Sequence, residues 1–306
     1  MHHITAPSSS DTSSLFTQAI VQSPAFQPMV NSQETETFEA TLKYASLLTN
    51  KTITTLEQVK ALPSEILYSV GFVQVATSPY GTFTFGPVVD GSYVADLPGR
   101  RFLNGSYSHD LKLIEAHNQN EGTFFTSTSN QDDTTFMALV ESLIPDASPA
   151  TVAYVSNILY PPIFNGSYPW TSQLQRAQQI TEEFTITCNS YFLADAFAPK
   201  KAWKYIFAVP PGLHGDNIAY TFFNGDEMTK DIGGGIVNAT IASVLQDYIV
   251  DFAKSGMPGG KGVLAFPHYG EGMGKVLDLN VTGLGMAMAD GDDNVRCKYW
   301  EDAAWM

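Results

Sequence analysis

The sequence predicts an α/β protein built on a mostly parallel sheet, and three observations carry that expectation. Strand-like and helix-like segments alternate along the chain, as they do in βα units. No internal repeat, heptad or long low-complexity tract interrupts them, and the one biased patch runs from Ser8 to Ser14. With 306 residues, 44% of them apolar, the chain can fill a sizeable core, which excludes disorder as its overall state. No domain boundary stands out, so residues 1–306 read as one unit.

Residues 19–22, Ala-Ile-Val-Gln, form an apolar run stopped by Ser23-Pro24 and read as a buried strand. A helix is expected over 34–48, with acidic residues in its first turn and Phe38, Leu42 and Ala45 on one face. Residues 110–116 read as a second strand, after which the chain turns polar at His117-Asn118-Gln119-Asn120. The stretch 134–199 is helical in pattern and includes a long segment that starts near Trp170 and contains Cys188. Residues 203–209 form a third strand candidate, stopped by Pro210-Pro211-Gly212. The clearest helix follows: Ile241, Val244, Leu245, Tyr248, Ile249 and Phe252 recur at helical spacing, and Gly256 and Pro258 end it. Residues 259–274 are loop-rich, and a Trp-containing tail follows Cys297.

Acidic residues number 31 against 16 basic ones, for a formal net charge of −15. Nucleic acids and anionic membranes are bound through basic residues, so neither is an expected partner. No apolar run approaches the roughly 18 residues that cross a bilayer. The N-terminus, Met-His-His-Ile-Thr-Ala-Pro and then serines, has no cationic or apolar leader region, so it carries no secretory signal as written. Five N-x-[ST] sequons, at Asn50, Asn104, Asn165, Asn238 and Asn280, lean the other way, towards a secretory history. Cys188 and Cys297 suffice for one bridge in an oxidising compartment, and two unrelated buried thiols fit the sequence equally well.

Two titratable residues stand just past strand candidates: Glu121 in Asn120-Glu121-Gly122, and His214 in Leu213-His214-Gly215-Asp216. Loops at the carboxyl ends of parallel strands converge on the crevice where ligands bind. A carboxylate and then a histidine, each on its own strand-end loop, is the order of the last two members of an α/β-hydrolase triad. Taken alone, the pattern also fits a turn carboxylate and a surface histidine. Competing motifs fail: the glycines of 270–274 follow no strand, Asp290-Gly291-Asp292-Asp293 lacks the glycine and distal Glu of an EF-hand loop, and His2-His3 is an ordinary helical or terminal pair. No cofactor and no metal are expected.

Several segments, in order, carry a family resemblance. Residues 1–28, with Met-His-His-Ile-Thr-Ala-Pro-Ser-Ser and Ala19-Ile20-Val21-Gln22-Ser23, resemble the segment just after a nucleophile elbow. Phe85-Gly86-Pro87-Val88-Val89-Asp90-Gly91 resembles F-x-P-V-x-D-G, and residues 118–125 resemble the G-x-N-x-x-E-G-x-x-F segment that bears a catalytic acid. His214-Gly215-Asp216-Asn217-Ile218-Ala219-Tyr220-Thr221-Phe222 resembles the segment bearing the catalytic base, and the helix end at Phe252-Ala253 with Gly256-x-Pro258 matches as well. Together these resemble the type-B carboxylesterase/lipase family, which also contains cholinesterases and many secreted fungal lipases.

The resemblance implies that Glu121 is the catalytic acid and His214 the base. It departs at Ala116-His117-Asn118, where many relatives have Gly before the Asn, and at Asn217, which fills an acidic position with Asp216 beside it. His117 then reads as a structural neighbour of the site. The larger departure is that no G-x-S-x-G occurs in the 306 residues, and Gly233-Gly234-Gly235, read as a flexible surface loop, follows the histidine and cannot stand in for an oxyanion loop. The implied architecture is therefore a single, partial α/β-hydrolase domain over 1–306, without the N-terminal strands, oxyanion loop and elbow. Such a sheet has an exposed edge prone to aggregation. The implied full-length activity is hydrolysis of a small-molecule or lipid carboxylic ester through a Ser-Glu-His triad, in the secretory pathway, with this chain inactive by itself. The alternative is an inactive cholinesterase-like binding module or a truncated gene product; retention of both Glu121 and His214 speaks against the module. Cys188 with Cys297 becomes a candidate bridge between the long helical segment and the tail.

Overall fold

The computed structural model describes residues 1–7, 16–29, 31–259, 265–270, 275–282 and 285–305. The Ser8 to Ser14 patch, much of the 259–274 stretch and residues 271–274 of the glycine run lie outside them.

Among the described residues, five strands form one sheet in chain order: β1 (Gln18–Gln22), β2 (Lys112–Asn118), β3 (Ala202–Phe207), β4 (Lys275–Leu279) and β5 (Met286–Ala289). β1 to β4 run parallel and β5 returns antiparallel to β4. Parallel neighbours need long crossovers, and the helical stretches between the strands supply them. All three carboxyl ends of β1, β2 and β3 therefore emerge at the same edge of the sheet.

Alternation along the buried strands sorts the core into two layers. Leu113 of β2 and Ala202 and Ile206 of β3 face one side, against Phe136, Trp170, Ile180 and Leu193. Ile114, Ala116, Trp203, Tyr205 and Phe207 face the other, against Ile241, Leu245, Tyr248 and Phe252 of the helix Ala239–Ser255. That helix is the expected apolar stripe. Its start is capped by Asn238 Oδ1, which accepts the N–H groups of Thr240 and Ile241, and it stops at Gly256 with φ of 70°.

Several expectations shift. β2 starts two residues late and runs on through His117 and Asn118, because β3 keeps pairing with it and Asn118 stands opposite Phe207. The polar residues there belong to the sheet, not to a turn. β1 is not a buried strand: it has one neighbour in the sheet, and Ile20 is 36% exposed. In the helix Asn31–Thr49, Ala45 is buried and Leu42 packs beside it, but Phe38 faces solvent. That helix packs on another helix, Ser64–Thr77, instead of on the sheet, so the partner chooses its inward face. Ser64–Thr77, β4, β5 and the helix Val295–Asp302 have no counterpart among the sequence expectations.

Between β2 and β3 the helical stretch runs continuously from the helix Gln173–Glu182 through a widened turn, Glu183–Thr187, into the helix Cys188–Ala196. Cys188 is bonded to Cys297 of the helix Val295–Asp302, with Cα atoms 4.9 Å apart and a sequence separation of 109. Closing so long a loop constrains the unfolded chain, and replacing both cysteines by alanine is expected to cost about 2–4 kcal/mol of stability. Urea denaturation under non-reducing conditions measures this, and equal midpoints for C188A/C297A and the parent would contradict it. Among the described residues no helix is long and apolar enough to cross a membrane.

Candidate active site

Glu121 and His214 reach one another from adjacent loops. Beyond Asn118 the chain makes one tight turn, Glu121–Thr123, and the loop after β3 runs beside it. Asn120 N–H donates to the Gly212 carbonyl (2.9 Å) and Asn120 Nδ2 to the Pro211 carbonyl (2.7 Å), so the two loops are tied together. Gly122 is required where it stands, because a Cβ there would lie 2.2 Å from the Gln178 carbonyl oxygen. Its absence lets the turn seat on the helix Gln173–Glu182. On the other loop, Leu213 N–H donates to Asp216 Oδ2 (2.7 Å) and Gly233 N–H to Asp216 Oδ1 (2.9 Å). The Gly233 to Gly235 turn, read from sequence as a loose surface loop, is thus pinned to the segment that follows His214.

Glu121 is fully buried, and each of its oxygens has a task. Oε1 accepts from Ser23 Oγ (2.6 Å), the Asn118 N–H (2.6 Å) and Asn118 Nδ2 (3.3 Å). Oε2 lies 2.5 Å from His214 Nδ1. Burial alone would raise the Glu121 pKa; the bonds from His214, Ser23 and Asn118 outweigh it and hold the carboxyl below its ordinary value. Behind it, Glu182 Oε2 accepts the Gly122 N–H (3.1 Å), and burial pushes that carboxyl well above the usual range, with the neighbouring carboxylates Glu183, Asp292 and Glu121 adding to the rise.

His214 is 32% exposed, and among the described residues its Nε2 makes no hydrogen bond. With Nδ1–H directed at Glu121, the imidazole tautomer is fixed and Nε2 presents a lone pair outward, the arrangement of a proton acceptor. Phe125 lies edge-on to the ring at 5.0 Å, and Phe83 lies edge-on to Phe125 at 6.4 Å. Phe83 also lines two cavities, one of about 240 Å³ with Val21, Pro24 and Phe26, the other of about 390 Å³ with Met29, Thr37 and Tyr44. Phe125 is thus the aromatic side chain against the imidazole, with Phe83 packed behind it.

Ser23 and Glu182 are the partners that sequence reading missed. Ser23 closes β1 with φ of 53°, unusual for a residue other than glycine, and its N–H donates to the Ala116 carbonyl (2.7 Å). In sequence it reads only as the stop before Pro24. Asn217 accepts from Asn118 Nδ2 through Oδ1 (3.2 Å), so the departure from an acidic residue is absorbed by an amide pair. His117 does not join the pair; its Nε2 faces Asp292. Of the sequon asparagines, Asn50, Asn104, Asn165 and Asn238 are exposed, while Asn280 is half-buried with its Nδ2 on Asp278. Among the described residues no group of three His, Cys, Asp or Glu side chains could hold a metal ion.

Comparison with known proteins places the chain in a family. The carboxylesterase family model matches residues 2–300. Carboxylesterase patB of Penicillium expansum is 37% identical over 287 residues, which is 94% of this chain and 49% of that protein. Carboxylesterase patB of Aspergillus clavatus is 32% identical over the same shares. The chain thus spans about half the length of the curated relatives it matches. Among solved structures, Aspergillus niger EstA superposes with a TM-score of 0.75 at 18% identity, over 98% of this chain and 60% of that one. A thermophilic pNB esterase gives 0.70 at 19% identity, over 94% and 58%. At such identities the likeness is one of fold, the α/β-hydrolase fold. With a family model matched over nearly all of its length, the chain belongs to the carboxylesterase family.

Proposed function

We propose that these 306 residues supply the acid and base of a serine carboxylic ester hydrolase, the nucleophile standing on a G-x-S-x-G elbow outside them. The observation that carries this reading is the 2.5 Å contact between buried Glu121 and His214, whose Nε2 is left open. In the reaction His214 Nε2 takes the proton of the serine as its oxygen attacks the ester carbonyl, then returns it to the departing alcohol. A water molecule repeats the sequence on the acyl-enzyme and releases the acid. Glu121 keeps the ring in the productive tautomer and stabilises the imidazolium. Phe125 beside the base, with Phe83 against it, favours an ester with an apolar or aromatic part, whether a small molecule or a lipid. A secretory location goes with this reading, supported by the Cys188–Cys297 bridge and the exposed sequons.

Turnover of p-nitrophenyl acetate tests it. A polypeptide with an in-frame G-E-S-A-G segment ahead of Met1 is expected to hydrolyse the ester in a His214-dependent way, and the 306-residue chain to show no such activity. His214-dependent hydrolysis by the 306-residue chain alone would overturn the reading.

A further inference from the structure

Beyond the acid and base lies a buried histidine that the proposed reaction does not use. His117 is 5% exposed, with Nδ1 2.8 Å from the Asn118 carbonyl oxygen and Nε2 2.9 Å from Asp292 Oδ2. The Nε2 approach is off the N–H line, an ion pair more than a hydrogen bond. Both facing oxygens can only accept. A neutral imidazole has one bare nitrogen and would press its lone pair against one of them, so only the doubly protonated ring satisfies both.

Charge balance points the same way. Lys204 Nζ, fully buried on β3, lies 2.8 Å from Asp290 Oδ2 and 2.8 Å from Asp292 Oδ2, and Tyr269 donates to Asp290 Oδ2 (2.8 Å). Two buried carboxylates need two cations, and Lys204 is one. The other charged groups packed around them are otherwise engaged. Arg296 donates to both oxygens of Glu183 at 2.7 Å each, and Lys298 pairs with Asp293 near Asp195. Glu115 on β2 and Glu182 on its helix are buried carboxyls whose pKa burial pushes well above the usual range. Among the described residues, His117 is the remaining group that can carry positive charge within ion-pair distance of Asp292.

We propose that His117 is a fixed imidazolium and a positioning residue: it ties the Asn118 peptide to the cluster of Lys204, Asp290 and Asp292, and so keeps Asn118 on Glu121. The second half rests on the catalytic role proposed for Glu121. Asn118 holds Glu121 Oε1 with its N–H and its side-chain amide, while its carbonyl oxygen is held by His117. Burial by itself would lower the His117 pKa; Asp292 outweighs it and the pKa is raised above 6.5. The stability this adds is fully present below pH 6.5 and is lost as the pH rises through the raised folded-state value.

Histidine-selective 15N NMR of the 306-residue chain tests the first half without any variant. At about pH 7, where a free imidazole is mostly neutral, both His117 ring nitrogens are expected to resonate as protonated. A bare nitrogen at that pH would overturn it. The second half is read from the downfield Nδ1 proton of the Glu121–His214 bond. In His117→Gln that resonance is expected to shift or vanish while circular dichroism stays native; an unchanged resonance in folded H117Q overturns the positioning role. H117Q/D292N, which removes one charge of each sign, carries the same comparison should H117Q not fold. These outcomes stand apart from the catalytic reading, which fails or holds on turnover.

Discussion

Glu121→Gln is expected to lower kcat for ester hydrolysis by about 10³–10⁴-fold in the elbow-bearing polypeptide, with KM changed little. The size follows from the hydrogen-bond directions around the carboxylate. Ser23 Oγ and both nitrogen donors of Asn118 converge on Oε1 and demand an acceptor there, so a glutamine turns its carbonyl towards them. Its NH₂ then faces His214 Nδ1, 2.5 Å away in the parent, and forces that nitrogen to accept. The ring moves its proton to Nε2 and can no longer take one from a serine. The substitution alters no aromatic side chain near the base, so KM is expected to change little. A variant with parental kcat, or one whose loss lies in KM alone, would contradict the role given to Glu121.

The second large effect is on stability. Lys204→Met is expected to cost about 3–5 kcal/mol, the usual loss when one partner of a buried ion pair is removed and the other is stranded. Met replaces the stem of the lysine but not its charge, leaving Asp290 and Asp292, at 8% exposure each, without the ammonium that pairs them. The sign of the pH dependence is fixed by Asp292. Burial would raise its pKa, but Lys204 and His117 depress it well below 3.8. Its contribution is therefore complete above pH 3.8 and is lost as the pH falls further. The gap between K204M and the parent is expected to be widest near neutrality and to narrow below that pH. Urea denaturation across the pH range reads both, and a loss under about 1 kcal/mol at neutral pH would contradict the pairing.

That Glu121 and His214 of the candidate site stand on strand-end loops was legible because each follows a strand that announces itself, with Leu113 and Ile114 before Glu121 and Trp203 to Phe207 before His214; pairing them took the family resemblance, because the pattern alone also fits a turn carboxylate and a surface histidine. The helix Ala239–Ser255 was legible because one stripe at helical spacing meets the sheet. What stayed hidden is non-local. Lys204 meets Asp290 and Asp292 across 86 and 88 residues, and no local pattern records such a pairing. In sequence, Asp290-Gly291-Asp292-Asp293 is only a failed cation loop. Ser23 gives no sign of its link to Glu121, 98 residues on, because its role depends on a backbone turn that the residue type does not disclose. The helix Ser64–Thr77 is apolar on all sides, with Tyr68 and Phe72 exposed, so it has no stripe to read. Phe38 misled for a related reason: helical periodicity names a face, but the packing partner decides which face turns inward.

The acid–base pairing of Glu121 with His214 is tested most directly by fluorophosphonate labelling followed by intact mass measurement and peptide mapping. In a polypeptide with the G-E-S-A-G segment ahead of Met1, one adduct is expected, on the elbow serine, and His214→Ala is expected to abolish it. The 306-residue chain is expected to take no label. An adduct that forms at the parental rate in the His214→Ala variant, or a stoichiometric adduct on the 306-residue chain that His214→Ala removes, would contradict it.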